Sequence, residues 1–188
     1  MKAPHSYGSF LTAQRIALRF HGRLYFCYWS PSDYSQGPTF DVYPAIAGVN
    51  KTTGEYYKTK HYDEVKRINA VVRIFADYLF PATSTHLVQI GATDDPPTSL
   101  SGLALDNLTS GGAYLVGQFA GVPFRGSTTA VAVLLTNWNW KAAVTTEVSF
   151  NAREVFEIDR MSGVPTPVGS GVSVDLEIGG CRCFVIAD

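Results

Sequence analysis

Val65-Lys-Arg-Ile-Asn-Ala-Val-Val-Arg-Ile-Phe-Ala-Asp-Tyr-Leu79, followed by Phe80-Pro81, is where the hydrophobic period of the chain changes. Val65, Ile68, Val72, Phe75 and Leu79 fall at spacings of 3, 4, 3 and 4, while Lys66, Arg67, Arg73 and Asp77 take other faces. That is the stripe of an amphipathic helix, predicted over 58–80 and closed by Pro81, because the residue before a proline is pushed out of the helical region. After Pro81 the chain breaks into short β-branched or aromatic segments: His86–Ile90, Ala113–Phe119, Thr129–Thr136, Val144–Phe150, Glu154–Ile158, Val172–Ile178 and Arg182–Ile186. Turn signals separate them, among them Asp95-Pro-Pro97, Ser110-Gly-Gly112, Asn137-Trp-Asn139, Ser162-Gly163 and Gly179-Gly180. Val172, Val174, Leu176 and Ile178 alternate with polar residues and share one face. Many short strands with regular turns predict an antiparallel β-sandwich over 84–188.

Upstream of the helix, Phe10, Ala13, Ile16, Ala17 and Phe20 repeat the helical spacing, with Ser9 as N-cap and Gly22 as stop, so a helix is predicted over 9–21. Leu24-Tyr-Phe-Cys-Tyr-Trp29 is a continuous apolar run and predicts a strand over 23–29, buried on both faces. A polar, aromatic-rich loop runs from Ser30 to about Tyr57. Residues 1–83 therefore read as a helix–strand–helix unit, a piece of a βα repeat. The expected fold class is mixed and mainly β: a partial α/β unit packed on an antiparallel β-sandwich, with the boundary between residues 83 and 84.

Composition removes several functional classes. The 188 residues carry 15 Lys+Arg against 16 Asp+Glu, a formal charge of −1, with 46% hydrophobic and 13% aromatic residues. Balanced, scattered charge does not fit a nucleic-acid binder, and the apolar content does not fit a disordered chain. No apolar run approaches the ~20 residues that span a bilayer. Met1-Lys-Ala-Pro-His5 leads into no apolar stretch of the kind a signal peptide needs, and the compartment stays open. Three cysteines are too few for a disulfide scaffold. Cys181 and Cys183, two apart on a strand, point to one face and read as buried free thiols rather than as a bridge or a zinc site.

Taken in order, these segments resemble the end of a retaining, clan A-type barrel glycoside hydrolase. Gln14-Arg-Ile-Ala-Leu-Arg-Phe-His-Gly22, Leu24–Trp29, and Thr53-Gly-Glu-Tyr-Tyr57 leading to Val65-Lys-Arg-Ile-Asn69 resemble the seventh helix, eighth strand and eighth helix. Tyr114-Leu-Val-Gly-Gln-Phe119, Val131-Ala-Val-Leu-Leu-Thr-Asn137, Val155-Phe-Glu-Ile-Asp-Arg-Met-Ser-Gly163 and Gly180-Cys-Arg-Cys-Phe-Val-Ile186 resemble the β-sandwich appended to such barrels. The resemblance implies that residues 1–83 are the C-terminal remnant of a (β/α)8 barrel. Such enzymes use two carboxyl groups about 5 Å apart, carried on strands four and seven. Both strands would precede Met1, so no catalytic residue is assigned here and the chain alone is expected to be inactive. The implied partners are carbohydrate and the rest of the barrel, in the same or another polypeptide. No cofactor, metal, nucleic acid or membrane is expected.

By the same resemblance Trp29 is the aromatic platform under the sugar, next to Ser30, and Asp33, Tyr34 and Asp41 in the following loop line the same cleft. Core packing and solvated loop are the plainer readings of these residues. Trp138 and Trp140, flanking Asn139, offer an alternative glycan surface or a packing contact. This leaves a second function class, a stand-alone carbohydrate-binding or structural β-sandwich module. Asp94-Asp95 before Pro96-Pro97 reads as a solvated turn. His5, His21, His61 and His86 have no ligand spacing, and Asn50-Lys-Thr52 and Asn107-Leu-Thr109 match the glycosylation sequon. A barrel remnant also predicts that Leu24–Trp29 and the Val65–Leu79 stripe lie bare, to be covered by elements outside the chain.

Overall fold

A computed structural model describes residues 47–49, 53–58, 60–91, 100–109, 112–139 and 141–187. The helix expected over 9–21 and the strand expected over 23–29 lie outside them. Within the region read as a long loop, β1 (Ala47–Val49) and β2 (Tyr56–Lys58) pair as a small antiparallel hairpin. The helix follows as α1 (Lys60–Leu79), within two residues of its expected bounds. Among its described side chains Ile68, Val71, Phe75 and Leu79 are buried, so the stripe runs through Val71 where the sequence spacing had pointed to Val72, which is half-buried. The observed steps of 3, 4 and 4 keep closer to 3.6 residues per turn.

Among the described residues nine strands follow: β3 (Thr83–Ile90), β4 (Leu105–Thr109), β5 (Tyr114–Phe124), β6 (Ser127–Asn137), β7 (Val144–Phe150), β8 (Val155–Ile158), β9 (Pro165–Pro167), β10 (Gly171–Leu176) and β11 (Cys181–Ile186). They form a six-stranded antiparallel sheet in the order β3-β5-β6-β11-β8-β9 and a three-stranded one in the order β10-β7-β4. The chain is mainly β, with antiparallel sheets and one described helix. Sequence reading missed β4 and β9: Leu-Asp-Asn-Leu-Thr has two apolar residues in five, and Pro-Thr-Pro carries residues that interior strands exclude. It also cut β5 and β6 short. They meet in a tight turn at Arg125-Gly126, both at positive φ (49° and 85°), as two-residue hairpin turns require. Bulges near Ala120, Val122 and Phe124 absorb Gly121 and Pro123.

The layers explain the sequence pattern. One face of the six-stranded sheet is covered by α1, where Val71, Phe75 and Leu79 pack with Phe119, Leu134, Phe156, Ile158, Cys181, Cys183 and Val185. Its other face meets the small sheet, where Tyr114, Val116, Val133, Leu135, Phe184 and Ile186 pack with Leu105, Val148, Phe150, Val174 and Leu176. A strand buried on both faces is apolar almost throughout, as Cys-Arg-Cys-Phe-Val-Ile is. The small sheet is covered on one face only, and β10 alternates. The expectation that the Val65–Leu79 stripe lies bare is therefore corrected at Val71, Phe75 and Leu79: the six-stranded sheet of the same chain covers them, because both surfaces are apolar and joined through only Phe80-Pro81-Ala82.

Candidate functional site

Trp29, Ser30, Asp33, Tyr34, Asp41 and Trp140, the residues proposed for sugar contact, lie outside the described residues, as do Asp94 and Asp95. Trp138 is described and half-buried, and its backbone N–H donates to Ala113 O at 2.8 Å. Its two neighbours explain the Asn-Trp-Asn motif. Asn137 ends β6 with none of its surface exposed. Its Nδ2 lies 2.9 Å from Ala142 O, 3.0 Å from Glu177 O and 3.4 Å from Leu176 O, sharing two protons among three carbonyls. Its Oδ1 accepts from Asn139 N at 2.9 Å, and its backbone N–H donates to Gly180 O at 2.8 Å. Asn139 Oδ1 in turn accepts from Lys141 N and Ala142 N. Asn137 thus ties the β6–β7 loop to the β10–β11 turn, and buried amides are retained only when paired in this way. The sequence offered this residue as part of a motif; its side chain's role needed the two loops brought together.

A second joint fastens α1. Tyr78 Oη donates to Gly163 O at 2.8 Å across 85 residues. Burial pushes the Tyr78 phenol above its ordinary pKa, with Cys183 and Asp77 adding to the shift, so it keeps its proton for that bond. Gly163 sits at φ +75°, and a Cβ there would stand 3.3 Å from Ile74 Cγ2 of the helix. Arg67 of α1 reaches Glu177 at 3.6 Å, and Arg160 also pairs with Glu177. Exposed ion pairs of this kind contribute little by themselves, so the apolar contact and the tyrosine bond dominate.

The turn that receives Tyr78 is built by Asp159. Its Oδ1 accepts from Met161 N at 3.0 Å, Ser162 N at 2.7 Å and Ser162 Oγ at 2.8 Å. Those bonds, led by the Ser162 hydroxyl and amide, hold the carboxyl below the usual aspartate range. A carboxyl whose folded pKa is depressed supports its turn above the ordinary carboxylate pKa and releases it as pH falls through the lowered value. NMR titration of Asp159 is expected to give a midpoint below that of the same residue in an Ile158–Val164 peptide. Equal midpoints would count against the turn.

Other polar groups also serve the fold. Gln118, 8% exposed, accepts from Ala104 N at 2.7 Å and donates to Gly102 O at 3.3 Å, with Thr85 and His86 beside its amide. A lone glutamine inside an apolar strand was the available signal for it. Cys181 and Cys183 are buried and form no disulfide, and burial pushes the Cys183 thiol far above the range in which it would react. Among the described residues no group of three or more His, Cys, Asp and Glu converges to hold a metal ion. No described helix is long and apolar enough to cross a membrane. A shallow depression of about 250 Å³ on the outer face of the small sheet is lined by Asn107, Glu147, Ser149, Gly171 and Ser173. It brings no aromatic platform to its polar groups. No protein-family model matches the chain, and no curated protein or solved structure matches it either.

Proposed function

We propose that the chain is the C-terminal, catalytically incomplete portion of a retaining barrel-type glycoside hydrolase, in which the β-sandwich braces the end of the catalytic barrel. The observation that supports this reading most is the joint between α1 and the sandwich. The helix that would follow the eighth barrel strand is fastened by Tyr78 to Gly163, inside the Val155–Gly163 segment that carries part of the resemblance. Asn137 and Gly180, at the ends of two further such segments, hydrogen-bond each other. The helix is thus anchored at the end of one segment of the resemblance, and two others are tied together inside the sandwich, as a support module needs. The sugar is stacked by Trp29, with Ser30, Asp33 and Tyr34 around it, and the two catalytic carboxylates come from barrel strands upstream.

The purified chain is expected to leave aryl glycosides intact; turnover that survives further purification would overturn this reading. The reading frame upstream of Met1 supplies the positive arm, since it must carry a barrel with two glutamates or aspartates at strand ends. Calorimetric titration with oligosaccharides separates the remaining possibility. Binding lost on Trp138→Ala and kept on Trp29→Ala would assign the chain to the carbohydrate-binding modules instead. The half-buried Trp138, held in a turn built by Asn137 and Asn139, favours a structural part for that segment.

A further inference from the structure

We propose that β10 is a pairing edge through which two copies of this chain join, strand to strand and antiparallel, about a two-fold axis at Ser173. The two larger sheets expose four edge strands among the described residues: β3 and β9 in the six-stranded sheet, β4 and β10 in the three-stranded one. Unpaired strand edges invite pairing with other chains, and proteins that stay apart blunt them. Three of these four are blunted. β3 carries a bulge between Ser84 and His86, and β4 one between Leu105 and Asn107. β9 is three residues long and two of them are prolines. β10 has none of these features. Its six residues keep unbroken register with β7 from Gly171↔Ser149 to Leu176↔Val144, with no proline and no bulge.

The sequence of β10 selects a second copy of itself as the occupant. In Gly-Val-Ser-Val-Asp-Leu the odd-numbered residues face out and the even-numbered ones turn toward the core. An antiparallel pair centred on Ser173 sets Val172 opposite the other copy's Val174, so apolar side chains meet on the inner face. On the outer face the two Ser173 hydroxyls meet, and each Asp175 lies opposite a Gly171. The two Asp175 carboxylates are then offset by four residues, about 13 Å at the rise of a strand, and do not repel. Each carboxylate is already held by Thr145 Oγ1 of its own β7 at 2.6 Å. Register, face and charge are self-complementary, which is what an isologous two-fold contact requires. Pairing would merge two three-stranded sheets into one of six strands. This inference is independent of the glycosidase reading.

Sedimentation velocity of the chain from low to high micromolar concentration is the test. A two-copy species that grows with concentration is expected. Ser173→Lys, at an exposed position, sets two ammonium groups face to face and is expected to abolish that species, whereas Ser127→Lys at the β5–β6 hairpin leaves it intact. Amide hydrogen exchange of the unaltered chain guards against a misfolded variant. Protection across Gly171–Asp175 is expected to rise with concentration while that of β4 stays level. A single-copy mass at every concentration, a two-copy mass indifferent to Ser173→Lys, or exchange of β10 independent of concentration would each overturn the proposal.

Discussion

Phe75→Ala is expected to destabilise helix and sheets together by about 3–5 kcal/mol, the usual cost of emptying a buried phenylalanine site. The ring is 1% exposed and belongs to the same apolar cluster as Phe119, Leu134, Phe156 and Val185 of the six-stranded sheet. Truncation removes contact area from both surfaces at once and leaves a gap between helix and sheet. Domains of ordinary size are stable by only about 5–15 kcal/mol, so the loss is a large part of the whole. Urea unfolding followed by far-ultraviolet and near-ultraviolet circular dichroism measures it. Both signals are expected to shift to lower urea together, with an unchanged slope. A shift confined to the helical signal would mean that α1 unfolds as a separate unit and that the helix–sheet joint is weak.

Asn137→Ala is expected to cost about 2–4 kcal/mol, more than a typical surface change, because a wholly buried amide loses four bonds, one of them to the buried Leu176 carbonyl. The carbonyls of Ala142 and Leu176 lose the Asn137 amide, Glu177 O is left with Gly180 N alone at 2.7 Å, and Asn139 N loses its acceptor. Asn137→Asp should be at least as damaging. It keeps the acceptor for Asn139 but turns a negative oxygen toward three carbonyl oxygens from a side chain with none of its own surface exposed. The denaturation midpoints of both variants, with amide protection at Asn139, Lys141 and Ala142, check this. Variants as stable as the parent would remove Asn137 from the list of joints.

What could be read from the sequence follows from how each element is covered. Helix α1 was legible because one stripe is buried and the rest is wet, and β10 because it has a core face and a solvent face. The interior strand β11 was legible as a strand, but its unbroken apolar run did not say what lies on either side. The structure supplies a helix on one side and a sheet on the other. β4 and β9 escaped notice because edge strands need few apolar residues and tolerate proline. The joints were the least legible. Asn137 and Gly163 stood in recognisable motifs, yet their work depends on partners 40 and 85 residues away in sequence.

The position of β11 sets the order in which the sheet can be assembled as the chain is made. It is the last described strand in sequence and yet lies between β6 and β8. Until Cys181–Ile186 leave the ribosome, the sheet exists as two parts, β3-β5-β6 and β8-β9, with no ladder between them. Each part presents an open edge where β11 belongs, and the second has only four and three residues per strand. The nascent chain therefore holds these two edges open until β11 arrives and joins them in one late step. Chaperone occupancy during synthesis should track that step, persisting until the sixth strand of the sheet arrives.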